Sequence, residues 1–322
     1  MAAELTAGRV LRVLRPLARS AALLLVVCAA VFALTELLPG DAATVRAGQH
    51  ADPQRLAELR AEAGLDASPW QRFRDWTGGL LRGDLGHSLL DDRPVSALLL
   101  DRLGASLWIA VPTWLLAVGG GTVIAFALAL RTGRRSERAG SSLVAAASGV
   151  PEVVLVTFLV VVFSGTLGWL PAVSLIPVGG SPADRPEVLV LPVLAVALPL
   201  TAWSGRLLRG PAEDILRRPF ATDARLRGLS PWRTVLRHGL PHLAAPLAQI
   251  ATVLAAAALA NTAVVETLLA YSGLGQALTE AVGSRDVPVV QGIAVVLAVL
   301  VLFAFLAGDA LSTRLARRAG AR

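Results

Sequence analysis

The 322-residue sequence contains no lysine, so all 30 of its Lys+Arg residues are arginine. A P-loop sets a lysine on nucleotide phosphates, a protein kinase uses a strand lysine, and Schiff-base chemistry needs an amine, so none of these can reside in the chain. Any use of ATP belongs to a partner. The single cysteine, Cys28, excludes an internal disulfide and a structural zinc site built on several thiolates. Its place in an apolar helix reads as inert packing. There are four histidines, none deep in an apolar run. With no nucleophile and base in a recognisable constellation, a membrane protease or other acid–base enzyme has no support. Charge is also scarce: 16% of residues are charged and 55% hydrophobic, and mean hydropathy is +0.63, the composition of a membrane protein.

A spanning helix needs about 20 mostly apolar residues, and six stretches qualify. They run over Ser20–Thr35, extendable to Leu38, then Leu103–Leu130, Ser141–Phe163 interrupted by Glu152, Val188–Gly205, His238–Val265 and Val287–Gly308. Arginine accumulates in cytoplasmic loops, and the intervening charge alternates. The segment before Ser20 is +3, Arg131–Arg138 +3, Arg206–Arg237 +5 and the C-terminal segment from Asp309 onward +3. Between them, Glu36–Arg102 is −3, Asp184–Glu187 −1 and Glu266–Asp286 −2. The expectation is an all-α polytopic membrane protein of six transmembrane helices with both termini cytoplasmic. Its parts are a tail and first span (1–38), an extracytoplasmic helical region (39–104), a five-helix core (105–310) holding a cytoplasmic loop at 206–242, and a tail (311–322). The formal charge of +7 is split among four loops and not massed on one face, which argues against nucleic acid as a partner and for membrane lipid. The first span also has the form of a secretory signal, with Ala42, Ala43 and Ala47 following. Cleavage would leave five spans and place the termini on opposite sides, so it is read as retained.

Within the outer region, Asp52-Pro53 starts a short helix that Gly64 stops, and Ser68-Pro69 starts another. Trp70, Phe73, Trp76, Leu80 and Leu81 give the second an amphipathic face up to Gly83. That face suits ordinary packing or the lipid headgroup level. Inside the spans, Gly119, Gly120, Gly121, Gly149 and Ala255–Ala258 allow close backbone approach. Pro112, Pro151, Pro192 and Pro199 are expected to interrupt helices.

The segment 206–242 is too long for a turn. Arg217-Arg218-Pro219 opens a helix over Phe220–Arg227, which Gly228 closes. Ser230-Pro231 caps the next helix, and Leu240-Pro241 breaks it before the membrane. Ala221 and Ala224 keep part of the short helix's surface small enough for a partner's groove, with Phe220 and Leu229 as anchors. Thr222-Asp223-Ala224, Gly228, Leu240 and Pro241 resemble the cytoplasmic loop motif of ABC importer permeases, which reads Glu-Ala-Ala, three residues, Gly, nine residues, Ile-x-Leu-Pro. Thr222, Asp223 and His238 depart from it. Further stretches fit the dipeptide, oligopeptide and nickel branch of that family: Leu38-Pro39-Gly40-Asp41, Gly83-Asp84-Leu85-Gly86-His87-Ser88, Gly168-Trp169-Leu170-Pro171, Glu266-Thr267-Leu268 through Ser272-Gly273-Leu274-Gly275, and Arg285-Asp286-Val287-Pro288-Val289-Val290-Gln291-Gly292.

The resemblance implies a permease subunit in a prokaryotic cell membrane, paired with a second, homologous permease. Two cytoplasmic ATPase subunits would bind the ATP, leaving no cofactor in this chain, and an extracytoplasmic binding protein would deliver cargo. It also implies that Phe220, Thr222, Asp223, Ala224, Gly228 and Leu229 form the ATPase-coupling helix. Glu152 and Asn261 are candidates for the translocation path. Glu152 reads either as a lining acid that meets a peptide amine or metal ion, or as a structural acid that is protonated or paired with Arg. Asn261 reads as lining or as an interhelical hydrogen-bonding group. His238 and His242, at i, i+4, have no third ligand and read as interfacial packing in preference to a metal site. An ATP-independent secondary transporter or channel is the competing class.

Overall fold

A computed structural model describes residues 2–37, 44, 52–62, 66–176 and 180–320. The Leu38-Pro39-Gly40-Asp41 stretch, Ala42, Ala43, Ala47 and the helix stop at Gly64 lie outside these residues. The described chain is helical and forms two compact units, Met1–Gly104 with Gly273–Leu302, and Ala105–Ser272 with Phe303–Arg322. Among the described residues five helices are long and apolar enough to cross a membrane, or six if one bent pair counts as a span.

In the first unit, α1 (Ala2–Glu36) carries the apolar run Ala18–Glu36. Helix α2 covers Pro53–Glu62 and α3 Pro69–Leu81. Ser68 caps α3 through a reciprocal bond with Gln71, satisfying two amide groups that would otherwise be orphaned. The aromatic face foreseen for α3 packs on the first span: Phe32 meets Phe73 at 5.2 Å and Trp76 at 5.9 Å, and Arg72 pairs with Glu36 at 2.7 Å. Trp70 and Leu81 stay exposed. The turn after α3 needs left-handed backbone at Gly83 and Gly86, which glycine adopts without a Cβ penalty.

That turn is held by Asp286. Its carboxylate accepts bonds from the Ser88 hydroxyl (2.5 Å) and the Leu89 amide (3.1 Å), and Gln291 donates to Thr35 at 2.9 Å. The unit's apolar core joins Val95 and Leu99 to Leu274, Ala277 and Ala281 of α11 (Leu274–Ser284) and to Val289 and Ile293. Two of the motif stretches, 83–88 and 285–292, are thus bonded to each other through Ser88 and Asp286.

The second unit is built on three helices. They are α4 (Val95–Ala129, in this unit from Ala105), α7 (Glu187–Leu216) and α10 (Leu240–Leu268). Between α4 and α7 come α5 (Arg135–Ala147) and α6 (Glu152–Leu159), the latter prolonged by a π-helical stretch, Val160–Thr166. A core of Ala117, Val156, Leu159, Ala195, Val196, Leu254, Ala258 and Val265 joins α4, α6, α7 and α10. Gly120 and Gly121 allow close approach, as anticipated, whereas a Cβ at Gly119 would meet nothing within 4 Å. A Cβ at Gly120 would stand 2.7 Å from Thr201 Cγ2, and one at Gly121 would overlap the Ser204 hydroxyl. That hydroxyl donates across helices to the Ala117 carbonyl at 2.6 Å, and Trp114 Nε1 donates to the Ala251 carbonyl at 2.7 Å. Interhelical bonds and tight packing are the glue available where lipid removes the hydrophobic effect.

The third apolar stretch is interrupted at Pro151, as expected: the helices on either side meet at 95° across Ser148–Pro151, because Pro151 takes extended backbone (ψ 140°) and begins a new helix. Two other sequence expectations are corrected. Pro112, Pro192 and Pro199, by contrast, lie inside continuous helices. The Val188 carbonyl, deprived of its helical partner by Pro192, accepts instead from the Ser174 hydroxyl at 2.7 Å. Leu240-Pro241 does not break its helix either. The run from α9 (Pro231–Thr234) continues to Leu268 through a π-helical turn, Val235–Gly239, whose wider register accommodates the missing amide of Pro241.

Candidate functional site

Helix α8 (Pro219–Leu226) occupies the segment singled out in the sequence. Pro219 starts it without wasting an amide, and the end is a Schellman closure. Gly228 turns left-handed at φ +74°, and the Leu229 amide donates to the Ala224 carbonyl at 3.0 Å, satisfying a helix-end carbonyl. No atom lies within 4 Å of a Cβ built on Gly228, so the requirement there is purely conformational.

The faces of α8 are distinct. Ala221 and Ala224 are buried at 0% and 4% exposure. This corrects the expectation that they leave a small surface for a partner, since they turn into the chain's own body. Phe220 is half-buried, stacks on His242 with ring centroids 4.9 Å apart, and packs against a core of Phe126, Leu208, Ile215, Val235 and Leu243. The outward face is Thr222, Asp223 and Leu226, with Leu226 83% exposed. Asp223 pairs along the helix with Arg227 at 2.8 Å. An open cavity of about 670 Å³ lies along this face, lined by Arg217, Pro219, Phe220, Thr222, Asp223 and Leu226. Leu229 is half-buried beyond the turn.

The histidine pair is accounted for locally. His242 Nδ1 lies 2.7 Å from the His238 carbonyl, and both rings lie beside Phe220. Among the described residues no group of three or more His, Cys, Asp or Glu is placed to hold a metal ion.

Glu152 and Asn261 come together. Glu152 opens α6 directly after the bend, where the positive end of the helix favours a carboxylate. Asn261 Nδ2, from α10, donates to its Oε1 at 2.7 Å. The partner of the acid is therefore an amide and not an arginine, and both residues are half-buried.

A second polar cluster went unnoticed in the sequence. Arg209 pairs with Glu137 at 2.7 Å and Glu213 at 2.8 Å and donates to Ser141 at 2.8 Å, while Arg206 reaches Ser148 at 3.1 Å. These bonds tie both ends of α5 to α7. The i, i+4 spacing of Arg209 and Glu213 was the available signal, but buried Glu137 sits in a strongly basic segment and reads there as solvated.

Glu266 was also missed. Assigned by charge to a loop, it is fully buried near the end of α10. The Tyr271 amide closes on the Glu266 carbonyl at 2.9 Å. Tyr271, also fully buried, donates its hydroxyl to the Ala105 carbonyl at 2.8 Å. Desolvation, and secondarily the charge of Glu266, push its phenol well above the ordinary value.

Residues 121–320 match the family described as binding-protein-dependent transport system inner membrane component, and residues 10–110 match the corresponding N-terminal family. The chain is 33% identical over 268 residues to the glutathione transport system permease protein GsiC of Salmonella choleraesuis (strain SC-B67), covering 83% of this chain and 85% of that protein. It is 28% identical over 280 residues to a putative peptide transport system permease protein of Brucella abortus (strain 2308), covering 87% and 89%.

Proposed function

Since the chain belongs to the family of binding-protein-dependent transport system inner-membrane components, we propose that it is the permease subunit of an ABC importer for peptides or related small solutes. With a second, homologous permease it forms the path through the membrane. Two cytoplasmic ATPase subunits drive it, and an extracytoplasmic binding protein delivers the cargo. Both termini and the segment 206–242 face the cytoplasm, in keeping with the alternation of arginine-rich and acidic segments.

In this reading α8 is the coupling helix. The observation that carries it is the division of its faces: Ala221 and Ala224 lock it to the chain's core, while Thr222, Asp223 and Leu226 are turned outward. ATP-driven closure of the ATPase subunits pushes on that outer face. The push enters α10 through the Phe220–His242 stack and α7 through the short link at Arg217–Arg218. Arg209 makes α5 follow α7, and the bundle rocks between inward and outward access around a site near the midplane. In the same reading Glu152, bonded to Asn261 just after the bend at Ser148–Pro151, lines that path, and its carboxylate meets a cationic group of the cargo such as a peptide amine.

The test is reconstitution of this chain with its partner permease, ATPase subunits and binding protein in liposomes. Uptake of labelled peptide that requires ATP and binding protein supports the assignment. Flux of the peptide through this chain alone, without ATP, would place it instead among secondary transporters or channels.

A further inference from the structure

We propose that the second unit holds an anionic phospholipid, with its headgroup among Arg131, Arg134 and Arg217 and an acyl chain in the apolar groove beside them. Helix α4 ends at Ala129, so Arg131 and Arg134 follow directly on an apolar span. With Arg217, Glu213, Thr132 and Trp232 they line a cavity of about 540 Å³. The charge there is in excess. Glu213 is already engaged by Arg209 at 2.8 Å and by Arg217 at 3.7 Å. Among the described residues neither Arg131 nor Arg134 takes part in an ion pair, and both are exposed.

A second cavity of about 300 Å³ adjoins the first along the same helix. Its walls include Val118, Val123, Phe126, Leu236, Leu240 and Leu247. Its one hydroxyl, on Thr122, is spent on the Val118 carbonyl at 2.7 Å. Gly119 lies in the lining, and a Cβ there would meet nothing within 4 Å, so the space is open. Trp232 lines both cavities and is 45% exposed, as suits an aromatic ring at the level of lipid headgroups.

A basic cavity and an apolar slot that meet at Trp232 fit a molecule carrying a negative head next to a hydrocarbon tail. A soluble anion leaves the slot empty, and an apolar partner helix leaves the arginines unmatched. Basic pockets at the ends of transmembrane helices recognise anionic headgroups in this way. The site shares Arg217 with the cavity along α8, whereas Arg131 and Arg134 line only the first cavity and so test the lipid site apart from the coupling face.

The test titrates the purified transporter complex in detergent with brominated phosphatidylglycerol or brominated phosphatidylcholine, which quench nearby indoles. The Trp232 signal is the difference between the wild type and a Trp232→Phe variant. Phosphatidylglycerol should half-quench at a concentration at least about fivefold below phosphatidylcholine, as one arginine at a lipid surface implies. Arg131→Gln with Arg134→Gln should erase that preference, and Arg131→Lys with Arg134→Lys should keep it, which separates charge from misfolding. Gly119→Leu, which fills the slot, should weaken both lipids. The proposal is overturned by equal quenching from the two lipids, by no Trp232 quenching in the complex, by a preference that survives the glutamine pair, or by displacement of phosphatidylglycerol with millimolar inorganic phosphate.

Discussion

Asn261 donates a 2.7 Å hydrogen bond to the carboxylate of Glu152, a residue 109 positions earlier in the chain. The bond joins the start of a helix that follows a 95° bend to the last two turns of a long span. An ionisable group at such a place is costly unless something compensates it, and here the compensation comes from one amide and a helix N-terminus. A double-mutant cycle of Glu152→Ala and Asn261→Ala, read as detergent-solubilised stability, should give a coupling of about 1 kcal/mol. Additive effects would mean that the bond does not form.

Replacement of Gly121 by alanine should destabilise the second unit by about 1–3 kcal/mol, because the new methyl meets the Ser204 hydroxyl and the α7 backbone at Gly205. Pairing it with Ser204→Ala should recover part of the loss, since the hydroxyl is the nearest obstacle. Thermal denaturation of both variants checks this. An unchanged midpoint for the single variant would show that the helices do not approach so closely.

Tyr271 is the chain's one tyrosine, so tyrosinate absorbance of the purified chain reports on it alone. Burial raises its folded pKa above the unfolded value near 10. The neutral phenol is therefore favoured by folding. Its contribution is complete below pH about 10 and is lost as pH rises from there toward the folded pKa. Native protein should show no tyrosinate at a pH where a denatured sample is largely ionised, and Tyr271→Phe should lessen the alkaline loss of stability. Titration of the native phenol at its ordinary pH would contradict the burial.

Gly228 is left-handed in open space, so a Gly228→Val substitution acts through the backbone, at a cost of about 1–2 kcal/mol. Transport per ATP hydrolysed should fall while the chain still inserts. Gly228→Asn, which tolerates the left-handed region, should stay close to wild type. If valine left the ratio unchanged, the closure at Leu229 would have no part in coupling.

Much of this architecture was legible in the sequence because hydrocarbon imposes a length. The apolar runs near Ser20, Leu103, Val188, His238 and Val287 all fall within observed helices, and Pro219 and Gly228 marked α8 by local chemistry alone. What pattern could not supply was direction and partnership. Ala221 and Ala224 look like a surface for someone else until the helix is rolled onto its own core. Glu137 and Glu266 are hidden by contacts made with distant or later residues. The prolines show the same limit: an identical ring bends the chain at Pro151, which follows Ser148-Gly149, and is absorbed at Pro112, Pro192 and Pro199 inside long packed helices.

The most direct test of the coupling assignment uses the single, buried Cys28. A Cys28→Ser background leaves no thiol, and Leu226→Cys then places one on the outer face of α8. A membrane-impermeant maleimide should label that thiol in inverted membrane vesicles stripped of the ATPase subunits, lose access when those subunits are bound, and leave it unlabelled in intact cells. Labelling from the outside of intact cells would put α8 on the wrong side of the membrane for any ATPase to reach.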